Sequence, residues 1–221
     1  MHLLSSHFYL NLVIFHFIEY LFGKSRIKGK DDTKFDEIID ILEEIYAYKD
    51  ENGRDYSDYE LFITGHSLGG GLTQLLAFAL AGLKDSKLSF LPKDKPITAI
   101  TYASPEAGNK KFQQNFTELE EQGHLRHIRV SNHGDAVPIV FKYMFYEQTG
   151  LNIHVYDEED KRHTVVEHNS VVGFWINPLQ ALSMHSLIVY GKRLFAKEND
   201  DLLSQGVETL YKKKAKFCKI V

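Results

Sequence analysis

Gly65-His66-Ser67-Leu68-Gly69 stands between an apolar run of strand length, Tyr59 to Thr64, and a helical pattern running from Leu68 to Ala81. A G-x-S-x-G turn in that setting constrains the fold strongly. A sharp strand-to-helix reversal lifts the serine above the sheet edge, and flanking glycines let strand and helix approach closely. At this chain's glycine and serine content, only about 0.06 accidental matches to the pattern are expected. Demanding a strand before it and a helix after it lowers that figure further. Gly70 and Gly71 extend the small-residue run beneath the serine. Gly65 is expected to break the strand and Gly82 to end the helix.

The rest of the chain supplies the layers such a turn needs. Phe35, Ile38, Ile39, Leu42, Ile45 and Tyr46 recur at steps of three and four, one apolar helical face, with Thr33 and Asp36 placed to cap its start. Strands are expected at Ile97 to Tyr102 and Leu125 to Ser131. Leu151, Ile153 and Val155 alternate with polar residues, which predicts a half-exposed strand that Thr164 to Glu167 could pair with. From Asn177-Pro178 a helical pattern continues to about Lys197, and residues 198–221 form a charged tail. Strands separated by helices imply an α/β fold, a mostly parallel central sheet with helices on both faces. There is no repeat and no linker, so residues 1–221 are expected to form one domain.

Composition excludes several function classes. A net charge of −4 argues against nucleic acid as a partner. There is no H-E-x-x-H, no paired cysteines and no phosphate loop, so neither a metal nor a cofactor is expected. Cys218 is the single cysteine and cannot form an intramolecular disulfide, which favours a reducing compartment. The apolar segment Phe8 to Phe22 is interrupted by Asn11, His16 and Glu19 and falls short of the roughly 20 residues of a spanning helix. It also lacks a basic start and a small-residue cleavage site, so secretion is disfavoured, and the sequon at Asn115 adds little. The expected location is cytoplasmic or peripheral to an intracellular membrane. The lysines before Cys218 resemble a prenylation signal, but Lys219 and Val221 depart from it, and a solvated basic tail is preferred.

A serine hydroxyl is a weak nucleophile until a base takes its proton and an acid orients that base. After a nucleophile turn of this kind the acid and the histidine follow in that order. Asp135 lies in Asn132-His133-Gly134-Asp135-Ala136-Val137-Pro138, beyond the carboxyl end of the third strand, where sites of open α/β sheets lie. Of 11 histidines, His66 is expected to point away from Ser67, while His124, His127 and His133 precede the acid. His154, His163 and His168 fall in or near the strand pair, where surface or packing roles are expected. His185 satisfies both the order and a late position.

These residues carry a family resemblance. From roughly Phe17 to Phe195 the chain resembles the fungal-type class 3 lipases, a branch of the α/β-hydrolases. The motifs are Gly65 to Gly70; Tyr102-Ala103-Ser104-Pro105-Glu106-Ala107-Gly108-Asn109, similar to the family's T-F-G-x-P-x-x-G-N; Asn132 to Pro138, similar to N-x-x-D-x-V-P; and His185 with Tyr190, similar to H-x-x-x-x-Y. The resemblance implies Ser67 as nucleophile, Asp135 as orienting acid, His185 as general base and the backbone N–H of Leu68 as an oxyanion donor. It further implies a carboxylic-ester hydrolase with a lipid or ester substrate, of the triacylglycerol lipase kind. Peripheral contact with a membrane or lipid surface stays open.

The departures matter. Met184 stands where the family often has Asp before the histidine. No strand ending in Gly-Thr or Gly-Ser can be read in residues 1–30, so the second oxyanion donor is not identifiable. Phe17-Ile18-Glu19-Tyr20 resembles the segment after the family's lid, which implies incomplete N-terminal strands and a truncated chain. Losing one oxyanion donor costs about 3 to 4 kcal/mol, so a weak esterase is expected. A non-catalytic scaffold, a phospholipase and an acyltransferase are the alternatives.

Overall fold

The computed structural model describes residues 17–24, 32–140, 145–156, 163–166 and 178–196, with positions 204, 206 and 209. Cys218 with its basic run, His168 and residues 8–16 of the apolar N-terminal segment lie outside the described residues.

Helix α1, Lys34–Ala47, opens with the expected reciprocal cap. The Asp36 N–H donates to Thr33 Oγ1 at 3.1 Å and the Thr33 N–H donates to the Asp36 carboxylate at 2.9 Å. Strand β1, Phe62–His66, leads through Ser67 into α2, Leu68–Leu83. Gly65 does not break the strand: it pairs with Thr101 of β2, Ile97–Tyr102. Nor does Gly82 end the helix, which continues to Leu83 and is capped by Lys84, a buried side chain whose Nζ donates to the carbonyls of Lys93 and Lys95.

A two-residue strand β3, Gly108–Asn109, precedes α3, Lys110–Glu121, whose N-cap Asn109 accepts from the Phe112 N–H. β4 is Leu125–Asn132, a 3-10 turn follows at Val137–Ile139, and β5, Tyr146–Glu147, pairs with β3. β6, Leu151–Val155, is joined by β7, His163–Val166. Two short helices close the described chain, α4 at Pro178–Met184 and α5 at Leu187–Leu194.

The main sheet runs β1-β2-β4-β6-β7, parallel except for the antiparallel β6–β7 pair. Alternation along the strands divides the core in two. Ile97, Ala99 and Leu125 face α1, α2 and α3 through Phe35, Leu80 and Phe116. Ile128, Val130, Ile153 and Val155 face α5 through Tyr190 and Leu194. Helices therefore cover both faces, the arrangement expected of an α/β-hydrolase fold.

β6 corrects one expectation, since all five of its residues are buried. Its polar residues find a partner inside: Ser131 Oγ donates to Asn152 Oδ1 at 2.8 Å and sits 2.8 Å from His154 Nδ1. The expected single helix after Pro178 is instead two, broken at His185-Ser186. Among the described residues no helix is long and apolar enough to cross a membrane.

Candidate active site

Ser67 occupies the elbow between β1 and α2 with φ +57° and ψ −126°, a conformation that side-chain-bearing residues rarely adopt. Its N–H is held by the Tyr102 carbonyl at 3.0 Å, and its own carbonyl accepts the Gly70 and Gly71 N–H groups that start the helix. The glycines act unequally. A Cβ at Gly65 would lie 2.2 Å from the Gly69 carbonyl oxygen, and one at Gly70 would lie 2.6 Å from Ser104 Cβ. At Gly69 it would meet nothing within 4 Å. Close approach is thus demanded at the strand end and where α2 crosses the end of β2. Leu68 is the first residue of α2, at the helix end whose N–H groups lack intrahelical partners and which carries the positive end of the helix dipole. Among the described residues no strand precedes β1 in the sheet.

The acid comes from the turn after β4. Gly134, at φ +86°, reverses the chain so that the Asp135 N–H returns to the Asn132 carbonyl at 3.0 Å. The Asp135 side chain is wholly buried. Its carboxylate accepts from the Val137 N–H at 2.9 Å and from the Tyr190 hydroxyl at 2.8 Å. Burial, reinforced by the neighbouring carboxylate, raises the Tyr190 hydroxyl well above its ordinary range, so it remains a proton donor. The same hydroxyl accepts the Asn132 N–H at 3.0 Å.

His185 lies at the junction of α4 and α5 and joins the other two. Its Nδ1 is 3.0 Å and 3.2 Å from the Asp135 carboxylate oxygens, and its Nε2 is 2.8 Å from Ser67 Oγ. Because the carboxylate only accepts, the proton sits on Nδ1 and the Nε2 lone pair faces the serine. The three residues named from the sequence are therefore brought together in one hydrogen-bonded chain. Met184 packs against Gly134, where a Cβ would be 3.1 Å from its Cγ.

The remaining histidines divide clearly. His127 is buried between Thr101 Oγ1 and Thr149 Oγ1, at 2.9 and 2.8 Å. His154 is buried beside Ser131, and burial pulls it down to about 4. His66, expected to point away from Ser67, lies against His185. Its Nε2 donates to the His185 carbonyl at 2.9 Å, and the two rings lie 4.7 Å apart. Asn132 and Arg193 also bear on the site without having been singled out. The available signal was spacing: Tyr190 and Arg193 are three apart on α5, on one helical face beside the acid loop.

Residues 36–145 match the family model of lipase (class 3). Over that stretch, just under half of its length, the chain matches the class 3 lipase family. Ser67 and Asp135 fall inside the matched class 3 lipase region and His185 beyond it. Among curated proteins the chain is 37% identical over 99 residues to phospholipase A1-Igamma2, chloroplastic, of Arabidopsis thaliana, covering 44% of this chain and 18% of that one. It is 32% identical over 120 residues to phospholipase A1-II 3 of Oryza sativa subsp. japonica, covering 53% and 26%. The chain thus spans about a fifth to a quarter of the length of these relatives. Among solved structures, the lipase of the Rhizomucor miehei lipase–propeptide complex aligns with a TM-score of 0.49 at 20% identity, covering 67% of this chain and 44% of that one. A triacylglycerol lipase from Penicillium expansum aligns with a TM-score of 0.46 at 23% identity, covering 60% and 45%.

Proposed function

We propose that the chain carries the catalytic machinery of a serine carboxylic-ester hydrolase acting on lipid esters. The observation that carries this reading is the continuous chain from buried Asp135 through His185 to Ser67 Oγ. In the proposed reaction Ser67 Oγ attacks the ester carbonyl carbon while His185 Nε2 takes the hydroxyl proton. The resulting oxyanion is drawn to the Leu68 N–H at the start of α2. Collapse breaks the bond to the alkoxy group, which leaves as the alcohol with the proton from His185 Nε2. Water then attacks the acyl-enzyme by the same relay in reverse and releases the acid. Asp135 keeps its charge throughout, holding the Nδ1 proton and stabilising the imidazolium that forms.

A lipid substrate is supported by the apolar residues that flank the site in sequence. Leu68, Leu182, Leu187 and Ile188 each lie within three residues of Ser67 or His185 and are exposed, Leu182 at 83%. We take a triacylglycerol as the first substrate class. A second reading, a phospholipid, is favoured by the names of the plant relatives. Fluorophosphonate labelling tests the chemistry: wild type is expected to label and Ser67→Ala to stay unlabelled. Equal labelling of both would overturn the reading. Acid release from triolein emulsions against phosphatidylcholine vesicles then separates the two substrate classes.

A further inference from the structure

The break between α4 and α5 has a definite construction. If the helix continued, the carbonyls of Met184 and His185 would accept the N–H groups of Ile188 and Val189. Instead the Ile188 N–H turns to Ser186 Oγ at 3.3 Å and the Val189 N–H to the Ser186 carbonyl at 3.0 Å. The two carbonyls left over are taken by side chains from elsewhere. Asn132 Nδ2 donates to the Met184 carbonyl at 2.8 Å, and His66 Nε2 donates to the His185 carbonyl at 2.9 Å. Neither donor can reverse its role. Arg193 Nη1 donates to Asn132 Oδ1 and, at 3.0 Å, to the His133 carbonyl, so the amide must turn its NH2 toward Met184. A carbonyl only accepts, so His66 carries its proton on Nε2.

We propose that His66 and Asn132 are positioning residues for His185, gripping two successive backbone carbonyls at its helix break. The proposal rests on the hydrolase reading given above. Its physical content is a division of labour. Asp135 fixes the rotation of the imidazole, while His66 and Asn132 fix the backbone from which the ring projects. Each grip originates next to a different member of the site, since His66 precedes Ser67 and Asn132 opens the acid turn. The nucleophile strand and the acid strand therefore each hold the base segment directly. Without the grips, the 2.8 Å contact between Nε2 and Oγ loses two of the side-chain bonds that hold the backbone behind it. A displacement of about 1 Å at such a site can cost on the order of 100-fold in rate.

The test uses His66→Ala, which removes the donor, His66→Gln, whose amide can reach the same carbonyl, and Asn132→Asp, which keeps shape and the Arg193 partner but cannot donate to Met184. For short-chain ester hydrolysis, kcat is expected to fall about 10- to 100-fold in His66→Ala and Asn132→Asp with KM within about twofold, and to recover substantially in His66→Gln. The downfield proton resonance of His185 Nδ1 should broaden or vanish in the first two variants and return in the third. A His66→Ala protein with unchanged kcat and an unchanged His185 signal would overturn the proposal. So would a loss that His66→Gln fails to recover while melting temperatures fall in step. Should wild type neither label at Ser67 nor hydrolyse esters, the hydrolase reading fails. The clamp is then still judged by the His185 resonance, which needs no turnover.

Discussion

The segment that carries Ser67 and the segment that carries His185 reach the same hydrogen bond by opposite routes. The elbow is held by its own backbone: a strand registered in the sheet, a positive-φ serine, and two glycines without which strand, helix and neighbouring loop could not meet. The junction at His185 is held by side chains from distant elements, namely Asp135, Asn132 and His66. Geometry written into local backbone tolerates loss of any one side chain but no added atom at its tight points. Borrowed geometry tolerates added atoms but loses register when a partner goes.

Substitutions can break or sharpen that contrast. The largest effect is expected from Gly65→Ala, whose methyl would collide with the Gly69 carbonyl, a backbone atom that cannot move aside. Denaturant unfolding should record a loss of about 3 kcal/mol or more, whereas Gly69→Ala, pointing into open space within a helix, should gain about 0.5 to 1 kcal/mol. Equal effects at the two glycines would refute the claim that the elbow is fixed by close approach. Tyr190→Phe comes next on the borrowed side. It removes the hydroxyl that donates to buried Asp135 and accepts from Asn132, with an expected loss of about 1.5 to 3 kcal/mol, that of a hydrogen bond to a charged group. If the contrast holds, the fall in esterase kcat in Tyr190→Phe should exceed what the unfolded fraction explains. The smallest effect is expected at Ala103, which sits at φ +52° at the end of β2. Relief of about 1 to 2 kcal/mol of left-handed strain roughly offsets the lost methyl and the added chain freedom. Ala103→Gly should then stay within about 0.5 kcal/mol of wild type, although Gly is normally about 1 kcal/mol worse than Ala.

The same contrast explains what the sequence disclosed. β2 and β4 were legible because apolar runs in a sheet repeat locally, and the elbow was legible because its glycines and serine are adjacent. β6 was legible as a strand but not as a buried one, since Asn152 and His154 look solvent-facing until Ser131 bonds to both. α3 offers only Phe112, Phe116 and Leu119 as a narrow apolar stripe in a polar segment, too little to stand out. The helix break at His185 leaves one local trace, the N-cap Ser186, within an apolar helical pattern that runs on through a point where the acceptors are captured from across the fold. His185 itself could be named from order along the chain, while His66 could not be given its task, because that task is defined by a carbonyl 119 positions away.

That separation has a consequence in time. Ser67 and His185 are 118 residues apart in the chain. A ribosome adding about 5 to 20 residues per second completes the serine roughly 6 to 24 s before the histidine. Throughout that interval the nascent chain carries an ordinary alcohol on its elbow, with no base beside it. The contact between His185 and Ser67 therefore waits for α4 and α5 to dock, so that on the proposed reading the serine of a half-made chain stays unactivated until those two helices are in place.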